Sequence, residues 1–134
     1  MNDNTAGFDF KKSAIQLVLF TAILFVIHDL TIHNFFEAFD FYFDTWKIYM
    51  FHFVTVLGVI YLLYKRSKTK PKSVFYVFIA LSILKMLAAL VFLSPLFLSK
   101  EVDAIAPVFG FFIPYFLFLA MESVIALRIL NFQN

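Results

Sequence analysis

Residues 73–97 read SVFYVFIALSILKMLAALVFLSPLF, an apolar run carrying one charged side chain, Lys85. A helix needs about 20 apolar residues to cross the hydrocarbon core of a bilayer, so this run is long enough to span. Lys85 stands near its middle, where a cation costs roughly 2.5–3.5 kcal/mol on insertion scales and more if nothing answers it. The candidate partner is Glu122, the only acid inside another apolar run, residues 106–130 (APVFGFFIPYFLFLAMESVIALRIL).

Two further runs, residues 13–31 and 45–64, have the length and composition of spans. The composition agrees: 63% of the 134 residues are hydrophobic and only 15% are charged. A soluble domain has roughly 45–50% apolar residues and a quarter charged. The expected fold class is therefore an all-α membrane protein, one domain over residues 1–134 with four transmembrane helices. A net charge of +2, with the cations at the borders of the runs, argues against a nucleic-acid partner. The absence of cysteine excludes disulfides and thiolate chemistry.

Orientation follows from where the cations lie. Residues 65–72 (KRSKTKPK) hold Lys65, Arg66, Lys68, Lys70 and Lys72 and no acid. By the positive-inside rule this loop is cytoplasmic, which puts both termini inside as well; Lys11, Lys12 and Arg128 then fall on the same side. Its topogenic role and attraction to anionic headgroups explain the loop without a further partner. A basic start before an apolar run resembles a secretory signal, but no small-residue cleavage motif follows, so a retained first helix is expected. Residues 34–44 (NFFEAFDFYFD) face the other side. Phe35, Phe36, Phe39 and Phe43 recur at helical spacing with Glu37, Asp40 and Asp44 opposite, which predicts a short amphipathic helix in the interface. A tight aromatic hairpin is the alternative. Pro114 predicts a kink in the fourth span.

Lys85 lies about 12 residues, or roughly 18 Å, from the cytoplasmic border, and Glu122 about 8 residues, or roughly 12 Å. A lysine stem can bridge that offset. Ser82, Ala88 and Ala89 give the third span a small-residue face for close helix contact, and Ala126 does so beside Glu122. The pair reads as a structural lock between two helices, or as the mark of an ion path or partner contact. Lys85 reaching headgroups and a protonated Glu122 are further alternatives. A second cluster, His28, Asp29, His33 and Glu37 with Asp40 and His52 nearby, is a candidate metal set. Three of its members stand four apart, and imidazole with carboxylate suits a divalent cation. Solvated groups at the interface, with His52 hydrogen-bonded inside the bundle, are the plainer reading.

Two segments, ILKMLAALVFL (83–93) and PVFGFFIPYFLFLAMESVIAL (107–127), resemble the second half of the ATP synthase accessory protein I family. Those are small four-span bacterial inner-membrane proteins, and Lys85 and Glu122 occupy the places of the family's lysine early in span three and polar residue late in span four. The likeness covers roughly the last 60 residues. Span two has only Gly58 where the family is richer in small residues, and the acidic aromatic loop is longer. The resemblance implies a non-enzymatic role in assembling the ATP synthase rotor ring or membrane sector, and a role in magnesium supply has been proposed for the family. In such a role Lys85 would suit the intramembrane carboxylate that the c-subunit carries, and a contact between the two is our own hypothesis.

No phosphate loop, nucleophile elbow, haem motif or metalloprotease motif occurs, so no enzyme activity and no cofactor are expected. The expected function is that of an accessory protein of the bacterial inner membrane, working through helix contacts with lipids, ATP synthase membrane-sector subunits or copies of itself. The alternatives are a small oligomeric divalent-cation carrier and a structural subunit of a larger envelope complex.

Overall fold

The computed structural model describes residues 9–39, 41–99 and 103–131. They form four helices: α1 (Phe10–Phe35), α2 (Thr45–Thr69), α3 (Val74–Leu98) and α4 (Ile105–Asn131). All four are long and apolar enough to cross a membrane, which makes the chain a multi-pass membrane protein, and no strand occurs among the described residues.

Each boundary has a local cause. The Asp9 carboxylate accepts from the Lys12 amide at 3.2 Å and caps α1. Asp103 accepts from the Ile105 amide at 3.1 Å at the start of α4. α2 runs to Thr69, five residues past its expected end, so the first half of the basic loop is helical. Arg66 and Lys68 in its last turn favour the negative end of the helix dipole. Pro71 then stops it and opens a single 3-10 turn (Pro71–Ser73) leading into α3. The connector is closed by hydrogen bonds from Arg66 Nε to Ser73 Oγ at 2.8 Å and from Ser73 Oγ to the Lys70 carbonyl at 2.7 Å.

Both interior prolines are accommodated. Pro95 cannot donate to the Val91 carbonyl, but Ser94 Oγ does so at 2.7 Å, and α3 continues to Leu98. Pro114 lies inside an unbroken α4.

α2 and α4 form the centre. α2 packs most extensively on α4, then on α1 and α3, while α1 and α3 flank the pair. Buried positions recur at helical spacing along α2 (Tyr49, His52, Val56, Ile60, Leu63) and α4 (Phe111, Tyr115, Phe118, Glu122, Ile125, Ile129). α1 fully buries only Ser13 and Leu17; Phe20, Leu24 and Phe25 pack partly buried against the core, while Ile15, Val18, Leu19, Ile23, Val26, Ile27 and Leu30 face outward. Such a surface would be costly in water and is ordinary in lipid.

The expected amphipathic helix over 34–44 is corrected. α1 absorbs Asn34 and Phe35, because no glycine or proline interrupts the chain after His28. Asp29 and His33, 3.6 Å apart at i,i+4, sit on its last turns. The described residues from Phe36 to Asp44 are turns and bends, with Tyr42 at φ 67°. A helix this short would have to meet the nucleation cost with few bonds. Aromatic contacts organise the segment instead: Phe36, Phe39 and Phe41 meet with ring centroids 5.8–6.5 Å apart, and Phe43 stacks on Phe92 of α3 at 4.9 Å. Asp40 lies outside the described residues.

Candidate functional site

The inward stripe of α3 is Lys85, Ala89, Leu93 and Leu96. Ala88, one residue off that stripe, faces outward, so the small-residue face is narrower than the sequence suggests. Lys85 Nζ donates to Glu122 Oε2 at 2.5 Å, with the two residues 5% and 0% exposed. The ammonium also lies 5.1 Å from the centroid of the Tyr115 ring, one further stabilising contact for a desolvated cation. Glu122 Oε1 and Ser82 Oγ are both buried and have no hydrogen-bond partner among the described residues.

The carboxylate that answers Lys85 belongs to the same chain, and the ammonium is enclosed.

His52 occupies the middle of the bundle. Its Nε2 donates to the Phe111 carbonyl at 3.3 Å, one residue from the Gly110 carbonyl that Pro114 leaves without its usual donor. Side chains of neighbouring helices commonly satisfy backbone groups loosened by proline in membrane helices. Around His52 the rings of Phe118 (5.3 Å), Phe111 (4.8 Å), Phe51 (5.6 Å) and Tyr115 (5.9 Å) form an aromatic cluster. Phe92 from α3 and Phe20 from α1 extend it at 5.3 and 5.4 Å from Phe111 and Phe118, so aromatic rings from all four helices meet.

The candidate metal set does not come together. Positions 28 and 29 of one helix point about 100° apart. His28 turns toward α2, where its Nδ1 is 2.9 Å from the Tyr49 hydroxyl, while Asp29 pairs with His33. Glu37 lies beyond the end of α1. Among the described residues, no group of three or more histidines and carboxylates could hold a metal ion.

Lys65, Lys68, Lys70 and Lys72 are exposed at one end of the bundle, with Arg66 half-buried in the connector. Lys68 Nζ lies 4.4 Å from the Tyr64 ring centroid, and Phe10 stacks on the same ring at 5.3 Å. Arg128 donates to Gln16 Oε1 at 2.6 Å, tying the end of α4 to the start of α1. Asp29, Glu37, Asp44 and Asp103 occupy or flank the opposite ends of the helices.

Two features escaped the sequence reading. One is a cavity of about 470 Å³ between α1 and α4, roofed by the aromatic turn and floored by Tyr49. The other is the role of Gly110. A Cβ there would stand 2.9 Å from Phe41 Cδ1, so the glycine lets the Phe41 ring close over α4. A glycine inside an apolar span was the available signal; which ring it meets depends on the fold.

Comparison with family models, with curated proteins and with solved structures found no match.

Proposed function

We propose that the chain is a non-enzymatic accessory or assembly protein of the bacterial cytoplasmic membrane, acting through helix–helix contacts, with the F-type ATP synthase membrane sector as partner. The observation that carries this reading is the division between a closed interior and open flanks. The strongly polar pair is sealed inside, where it fixes the rotation of α3 against α4, and the outward faces of α1 and α3 are left continuous and apolar. A preset apolar helix face is what a second set of transmembrane helices can pack against.

The orientation belongs to the same proposal. The exposed cations of residues 65–72 lie in the cytoplasm, both termini are inside, and the aromatic turn at 36–44 rests in the opposite interface. The carrier reading is less favoured, because a carried ion must reach membrane-depth polar groups and the Lys85–Glu122 pair is enclosed.

Tagged protein drawn from its native membrane in mild detergent should bring ATP synthase membrane-sector subunits with it, as identified by mass spectrometry. Replacing the exposed Ile83, Leu87 and Leu90 on α3 by alanine should weaken that recovery while leaving the chain folded. Recovery of the chain alone, as a defined oligomer, would overturn the reading.

A further inference from the structure

We propose that the cavity between α1 and α4 binds a membrane-soluble quinone, a neutral flat ring with carbonyl oxygens and an apolar tail. This is independent of the assembly role proposed above. At about 470 Å³ the cavity falls in the size range of small-molecule sites, which are typically apolar with a few convergent polar groups.

Its polar equipment is sparse and specific. The Thr31 hydroxyl lines the cavity but already donates to the Ile27 carbonyl at 2.7 Å. That leaves His28 and Tyr49. The Tyr49 hydroxyl lies 2.9 Å from His28 Nδ1, and when it donates there the neutral imidazole carries its proton on Nε2. No other hydrogen bond to His28 occurs among the described residues, so Nε2–H is a donor for a ligand carbonyl.

The remaining walls choose among lipids. Phe36, Phe39, Phe41 and Phe109 line the cavity with Tyr49, and aromatic rings accept a flat ring by stacked or edge contacts. No cation lines it. A phosphate-bearing headgroup would therefore meet no charged partner among those lining residues. Ile27 of α1 and Ile113 of α4 line the cavity and are both exposed on the apolar outer surface, from which a ligand dissolved in the bilayer would arrive.

The test uses the full chain in nanodiscs of phosphatidylcholine equilibrated with decylubiquinone, with bound quinone measured after separation and empty nanodiscs subtracted. One saturable equivalent per chain is expected. His28→Phe should weaken binding at least tenfold, His28→Gln should retain it within a few-fold by keeping a donor, and Ala106→Phe should abolish it by filling the cavity. Elution profiles matching the parent establish that the variants fold; the parent titration stands even if one does not. No excess over empty nanodiscs would overturn the proposal. So would equal binding by parent and Ala106→Phe.

Discussion

Two helix seams each carry one polar contact through an apolar interior, and they are built on opposite terms. At the α3–α4 seam a full ion pair, Lys85–Glu122, is enclosed on all sides. At the α1–α2 seam a neutral pair, His28–Tyr49, stands on the wall of an open cavity. The difference follows from what desolvation does to each. A charge in a low-dielectric interior is held only by its partner, so removing either member leaves an uncompensated ion. A neutral hydrogen bond can lose one member at modest cost, and what remains can still serve a ligand. The first seam is suited to fixing a structure, the second to receiving a guest.

The contrast predicts unequal sensitivity. The largest effect is expected from breaking the enclosed pair. Lys85→Met or Glu122→Gln should each lower stability by about 3–5 kcal/mol, read from unfolding in mixed micelles. An effect below about 1 kcal/mol would mean that water or lipid reaches the pair.

Next comes the roof of the cavity. Gly110→Leu places side-chain atoms where the Phe41 ring lies and should cost about 1–3 kcal/mol through overpacking. Phe41→Ala in the same chain should recover most of that loss. Without recovery, the close approach of ring and backbone does not govern the site.

The smallest effect belongs to the open seam. Tyr49→Phe removes one hydroxyl and should cost about 0.6 kcal/mol, the average for a hydrogen bond between membrane helices. A loss as large as that at Lys85 would erase the distinction between the seams.

The two seams were not equally readable from sequence. Lys85 and Glu122 stand out because a charge inside a long apolar run is rare and costly, and the depth estimate for antiparallel spans brings them within reach. His28 and Tyr49 carry no such mark. His28 lies near the expected end of a span, and Tyr49 looks like an interfacial aromatic. Their contact depends on the register of α1 against α2, which apolar periodicity leaves open. The spans themselves were clear from length and composition.

The turn at 36–44 was misread for a related reason. Helical spacing of phenylalanines describes a face only if a helix forms. Here Phe41 on Gly110 and Phe43 on Phe92 hold the segment down without one. The extension of α2 to Thr69 was hidden by charge, since cations that end a hydrophobic run do not end a helix.

The most direct test of the α3–α4 lock is a double-mutant cycle on Lys85 and Glu122 in mixed micelles. With each single substitution costing about 3 kcal/mol or more, the double variant Lys85→Met/Glu122→Gln should recover most of the loss, because no unpaired charge remains. If the double variant loses the sum of the two single effects, the residues act independently and the lock does not exist.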